Sequence, residues 1–434
     1  MRSLPLATFL AACLAAAASP LSTLSAQDVP AQARDERVRV YLDCNGFYCE
    51  SDFYQTELPF VAHVRDRSDA EVHLLVTAQS TGAGGVEYTL AFLGQGRFAG
   101  SNATLKHVTE PGASDDAVRR GLAQRIKLGL VRYVAESPDA ARLTVSYAAP
   151  QQAQAAAPAR DPWNYWTFRV SGNGFFNGEQ TYSYRNLYGT VSASRTTETW
   201  KLRLSANVSE SESRFEIDSV TTFTNTQTSR GLSGLLVRSL GRRLSAGLTA
   251  SASRSTFYNQ DLTLRVAPAL EYNIYPYAES TRRQLTFRYS AGPVWYDYAE
   301  RTIFERTSES RIEQSLLGSV VARQPWGTVN VSVQGAHFLD NVKQNRLVMG
   351  GGVELNLVRG LTLNLDGSYN RLRDQVYLPA GQASEEEILL RRRQLATGFT
   401  YFASVGVSYT FGSRLSTVVN PRFATGGGSV VIVN

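Results

Sequence analysis

After its N-terminal segment the chain has no run of eighteen apolar residues, so no transmembrane helix is expected in the mature protein. Lysine is scarce, standing only at Lys106, Lys127, Lys201 and Lys343, and arginine carries most of the positive charge. The formal charge of +6 comes from 44 cations against 38 acids spread along the whole length. Such dispersal is a mild bias, and no nucleic-acid surface is expected. Histidine is equally thin: His63, His73 and His107 fall on separate predicted elements without metal-ligand spacing, and His337 stands alone in the second half. No metal, no cofactor and no catalytic group is therefore expected. The glycine-rich stretch 94–100 has the wrong spacing for a phosphate loop and reads as a turn.

Cysteine is limited to Cys13, Cys44 and Cys49. Cys44 and Cys49 enclose four residues, where a redox motif favours two and a zinc site needs further ligands, so the pair reads as a small-loop disulfide of an exported protein. Export is also written into residues 1–26, where Arg2 precedes an Ala-rich apolar run and Leu24-Ser25-Ala26 offers a cleavage site. A rival reading takes Leu10-Ala11-Ala12-Cys13 as a lipobox, with lipidation at Cys13.

What the chain has in abundance is alternation. Over 395–411, Leu395, Thr397, Phe399, Tyr401, Ala403, Val405, Val407, Tyr409 and Phe411 interleave with small or polar residues. A mean soluble strand would stop after about six residues, whereas a tilted bilayer-crossing strand needs roughly 9 to 11. Twelve such runs are legible: 163–177, 182–196, 198–216, 222–240, 242–258, 262–276, 283–299, 309–324, 327–339, 346–358, 361–374 and 388–411. Backbone groups in lipid must be satisfied internally, so these strands predict an antiparallel transmembrane β-barrel over 163–413, in the outer membrane of a Gram-negative cell. Tight joints such as Gly241-Arg242 and Arg359-Gly360 alternate with longer ones such as 300–308 and 375–387, which puts residue 163 and the C-terminus in the periplasm. The twelfth strand is expected to pair with the first and close the barrel. Its aromatic end resembles the signal read by the barrel-insertion machinery, although 23 residues follow Phe411 and Phe423 is a substitute.

Residues 34–147 predict a periplasmic α+β domain, joined to the barrel by an Ala/Gln/Pro linker at 148–160. Strands are expected at 38–42, 71–79, 87–94 and 141–147, and helices at 52–64 and after Ser114. In the second helix Val118, Leu122, Ile126, Leu130 and Val134 recur every four residues and mark a buried stripe. This order, with the Ala70-Glu71-Val72-His73-Leu74-Leu75-Val76 strand, resembles the N-terminal domain of the TolB type and the core of the curli secretion lipoprotein family. The resemblance implies a protein-contact domain and a periplasmic protein partner.

Strand parity divides the barrel residues. Leu202, Leu264, Phe287, Val331 and Leu365 face lipid; Arg169, Lys201, Arg203, Arg265, Glu271, Arg288, Glu313, Arg323, Glu354 and Asp366 face the lumen. Two readings of that charge set stand: a paired network filling a closed barrel, or the lining of a narrow channel. At the outer rim Arg371, Arg373, Arg391, Arg392 and Arg393 read either as a solvated loop face or as a clamp for lipopolysaccharide phosphates. His337 shares parity with Val329 and Val333, faces lipid, and so disfavours a hydrolase. The functions expected are an anchor coupling the periplasmic domain to the outer membrane, in an export or envelope-assembly system, or else a small-solute channel.

Overall fold

The computed structural model describes residues 37–45, 49–82, 84–110, 112–146, 161–216, 222–381, 396–413, 415 and 417. The expected signal peptide, the linker, Arg391, Arg392, Arg393 and most of the tail lie outside them. None of the described helices is long and apolar enough to cross a membrane.

The first sheet has five strands in the order β2-β1-β3-β4-β5. They are β1 (Arg39–Asn45), β2 (Ala62–His63), β3 (Val72–Ser80), β4 (Val86–Gly94) and β5 (Ala103–Thr109). β1 runs parallel to β2 and β3, and β3, β4 and β5 form an antiparallel meander. Helix α1 (Ser51–Glu57) and helix α2 (Asp115–Ala135) pack on one face of it. Ser114 caps α2 by accepting from the Ala117 N–H, and Asp115 and Asp116 sit at the positive end of its dipole. The four-residue stripe of Leu122, Ile126, Leu130 and Val134 is buried against Val72, Leu74, Leu90 and Phe92.

Two expectations for this region need correction. The helix expected over 52–64 stops at Glu57, because Pro59 disfavours helical backbone in the residue before it. The chain then extends, and Ala62 pairs with Arg39 as the sheet edge. The strand expected over 141–147 is absent: Pro138 opens a 3-10 helix over Pro138–Arg142, residues 143–146 join no strand, and 147 lies outside the described residues. Its place in the sheet is taken by β5, whose alternation Ala103-Leu105-His107 against Thr104-Lys106-Val108 was there to be read.

The second sheet is a twelve-stranded antiparallel meander, with strands in sequence order from β6 to β17. These are β6 (Trp166–Gly178), β7 (Tyr182–Thr196), β8 (Trp200–Glu216), β9 (Thr222–Ser239), β10 (Leu244–Ser255) and β11 (Gln260–Asn273), followed by β12 (Arg283–Tyr298), β13 (Ser308–Gln324), β14 (Gly327–Phe338), β15 (Asn341–Val358), β16 (Leu361–Leu372) and β17 (Phe399–Tyr409). The β11–β12 ladder is interrupted between Arg265↔Val294 and Ala269↔Ser290, where Pro268 and Pro293 supply no N–H. The last strand, expected over 388–411, is Phe399–Tyr409, shorter also than the seventeen-residue alternation; residues 388–395 lie outside the described ones. It spans eleven residues because its partner β16 ends at Leu372, and its other side is an edge. Among the described residues β17 does not pair with β6, so the sheet is open along that seam.

Burial in this sheet is inverted relative to a water-soluble layer. The buried side chains of its strands, from Asn225, Ser245, Thr263 and Asn273 to Glu313 and Phe338, all lie on one face, and most are polar. The opposite face exposes Phe168, Val170, Leu232, Ile312, Leu316 and Val405 at 50% or more of their area. A contiguous apolar surface of this extent is not left to water by soluble monomers.

Candidate functional site

The register places the ten charges predicted for the lumen on the polar face. One row of partners crosses it as Arg169↔Ser192↔Ser205↔Ser233↔Ser251↔Arg265, in strands β6 to β11. Adjacent rows carry Arg203↔Ser194, Glu271↔Arg288, Arg323↔Thr328↔Glu354 and Asp366↔Gly352. Lys201 pairs across from Thr196. Of these charges the fold joins Arg265 to Glu313, and Glu271 to Arg288 at 3.9 Å. Arg169, Lys201, Arg203, Arg323, Glu354 and Asp366 form no ion pair among the described residues, and Arg323 donates instead to Thr281 O.

The densest constellation sits at the long-loop end. Glu313 accepts two bonds from Arg346, both 2.9 Å, and a third from Arg265; its side chain is 7% exposed. Arg346 also holds Asp374 at 2.8 Å. Two cations and two carboxylates thus form a neutral chain, which makes burial of the charges tolerable. Beside it Val294, Tyr296, Tyr298, Phe338 and Val376 form a small apolar core. Asp374 and Val376 belong to the connection after β16, which folds back across the polar face. Its seat is completed by Ile303 N–H to Leu378 O (2.8 Å), Ala380 N–H to Arg301 O (2.8 Å) and the Asn259 amide to Tyr377 O (3.1 Å). Arg346 and Asp374 were missed in the sequence. The parity of Arg346 with Glu354 was a signal, as was the apolar run Val376-Tyr377-Leu378 inside a supposed solvent loop.

At the tight-turn end the first sheet meets the second through the 66–69 loop. Asp66 accepts from the Gly360 N–H at 2.8 Å, Asp69 pairs with Arg359, and Arg67 donates to the carbonyls of Pro325 and Asn356. Gly360 holds φ +70°, and a Cβ there would run into the Thr410 carbonyl, so this turn requires glycine. Desolvation raises the Asp66 pKa, but hydrogen bonds from Ser68 and Gly360 and the charge of Arg359 outweigh it and hold the carboxyl below its ordinary value. Tyr41, on the sheet face nearby, is pushed up to about 12 by burial, then by Asp43 and more distant acids that include Glu354.

Other singled-out residues have structural surroundings. Cys44 and Cys49 are disulfide-bonded, with Cα atoms 5.9 Å apart. His63 contacts Leu58 O, His73 pairs with Asp43 at 2.9 Å, and His107 stacks on Tyr88. No group of three or more metal-ligating side chains occurs among the described residues. His337 lies on the apolar face against Gln314, on the opposite side from Ser332. Arg371 donates to Asn345 Oδ1 at 3.0 Å, and Arg373 donates its backbone N–H to Asn345 O. No protein-family model matches the chain, and no curated protein matches it in sequence.

Proposed function

We propose that the chain is an outer-membrane β-barrel protein that holds an α/β protein-contact domain at the periplasmic face, within an export or envelope-assembly system. The observation that carries this reading is the inverted burial of the twelve-stranded sheet, polar face covered and apolar face bare. Strand length agrees: the eleven residues of β17, at about 3.4 Å each and tilted about 45°, rise roughly 24 Å, close to the ~25 Å apolar band of such barrels. Aromatic stacks bracket that strand, with Tyr369, Phe399 and Tyr401 at one end and Tyr409 and Phe411 at the other. In lipid the bare edges of β6 and β17 pair with each other, because each unsatisfied backbone group there costs several kcal/mol. Lipopolysaccharide at the outer rim and the insertion machinery during biogenesis are the partners this location implies.

The anchor reading is favoured over a channel because the Arg265–Glu313–Arg346–Asp374 chain and its loop occupy the long-loop end. A channel is favoured by one feature, the serine row between Arg169 and Arg265, whose small side chains leave room beside them. Two measurements separate the outcomes. The full chain expressed in a Gram-negative host is expected to fractionate with outer membrane, and recovery from the soluble periplasm would defeat the membrane reading. Purified protein in planar bilayers is expected to be electrically silent, whereas steady single-channel current would replace the anchor with the channel.

A further inference from the structure

Both faces of the five-stranded sheet are closed off, yet its two helices cover only one. Val72, Leu74, Val76, Leu90 and Phe92 belong to the core beneath α1 and α2. From the opposite face project His73, Leu75, Thr77, Thr89 and Ala91, and these are buried as well. A sheet with a single helical layer leaves its second face to water unless something else lies on it. What lies there is the tight-turn end of the twelve-stranded sheet. Gly82 abuts Thr196 before the β7–β8 turn. Thr89, Thr104 and Lys106 line one cavity together with Thr281, Arg282 and Gln324. Arg67 bonds the β13–β14 turn at Pro325 and the end of β15 at Asn356, while Asp66 and Asp69 hold Arg359 and Gly360 of the β15–β16 turn. Past β17, Leu415 forms an antiparallel bridge with Val64 beside the β2 edge. The contacts thus touch four tight turns and the end of the last strand.

We infer that the five-stranded sheet is a stopper seated on the tight-turn mouth, and that the 66–69 loop is its latch. This rests on the reading that the twelve strands close into a barrel. The seat is releasable because it is sparsely packed: gaps of about 520 and 360 Å³, each lined from both sides, interrupt it. A permanent interface would be filled to the density of a core, whereas loosely packed polar contacts are the mark of parts that move apart. The fastenings are carboxylates, two guanidinium groups and backbone groups, and Arg359 is 46% exposed, so the hold weakens with salt. The α/β unit then closes the periplasmic end until it is drawn off.

A thiol reporter tests this in the full chain in detergent micelles. Asn330, on the polar face three residues into β14 from the β13–β14 turn, becomes Asn330→Cys in a Cys13→Ser background, and its reaction with a bulky polyethylene-glycol maleimide is timed. Slow labelling is expected, rising at least tenfold in Asp66→Asn/Asp69→Asn and also in the unmutated latch at 1 M NaCl. Labelling of the parent as fast as a cysteine placed at exposed Glu305 would overturn the stopper. Protection unchanged by both the double substitution and salt would overturn the latch. The salt arm needs no latch mutation and so survives a folding defect in the double variant. Failure of the membrane reading is separate, since it appears as failure of the same protein to float with lipid vesicles.

Discussion

Asp374→Asn is expected to loosen the inward loop without unfolding the sheet. In the native protein Arg346 Nη1 reaches Asp374 at 2.8 Å, with the two side chains 22% and 11% exposed. A charge-assisted bond of this kind contributes about 1.5–3 kcal/mol. The lower end applies, because Arg346 keeps both bonds to Glu313 and is not left as an isolated charge. At about 1.4 kcal/mol per factor of ten, the open-loop population should rise roughly 10- to 30-fold. Glu313→Gln should act more strongly, since it removes the shared partner of Arg265 and Arg346, and breaking a buried pair costs about 3–5 kcal/mol. Val376→Cys is a suitable reporter: Val376 is 1% exposed, and a cysteine there reacts only when the loop lifts. With rapid opening and closing, the maleimide rate tracks the open population. Relative to Val376→Cys alone, Asp374→Asn should accelerate labelling about tenfold or more, and Glu313→Gln further still. Equal rates within twofold for all three would refute the claim that the charge chain seats the loop.

The apolar face offers a neighbouring-residue comparison. Val331→Arg should cost about 2–4 kcal/mol of folding stability in lipid vesicles and Ser332→Arg much less, measured by urea unfolding; the reverse order would invert the assignment of faces. The latch should also respond to acid. Because Asp66 titrates below its ordinary value of about 3.8, its contribution is complete above that value and is lost as pH falls beneath it. Labelling of Asn330→Cys, taken relative to an exposed Glu305→Cys at the same pH so that loss of thiolate cancels, should therefore rise below about pH 3.8, and that step should vanish in the Asp66→Asn variant. Gly129 faces the Phe92 ring from α2, so Gly129→Ala should lower the melting temperature. Its overpacking penalty of about 1–3 kcal/mol exceeds the roughly 1 kcal/mol gained in helix propensity, and a raised melting temperature would show that Phe92 yields.

Much of this architecture was legible because its signals are local. Period-two alternation located twelve strands with ends mostly within three residues of those observed, since parity decides which face is apolar without reference to partners. The pairing of Cys44 with Cys49 likewise followed from their spacing. The limits of the sequence are equally specific. Leu395 to Phe411 alternate throughout, but ladder length depends on the partner, and β16 stops at Leu372. Alternation also says nothing about whether β17 meets β6, since that contact spans the whole sheet.

The sequence by itself determined the chemistry of each face: which side chains are apolar, which carry charge, and that Arg265 and Glu313 share a side. Only the tertiary structure decided which charges meet. Arg265, Glu313 and Arg346 stand on alternate strands, and Asp374 reaches them because a connection turns back over the polar face. It likewise decided that Asp66 and Asp69 meet Arg359 and Gly360 nearly three hundred residues away, beyond ten strands of the second sheet. Such contacts follow from where rigid sheets bring distant loops, and no local pattern encodes that distance.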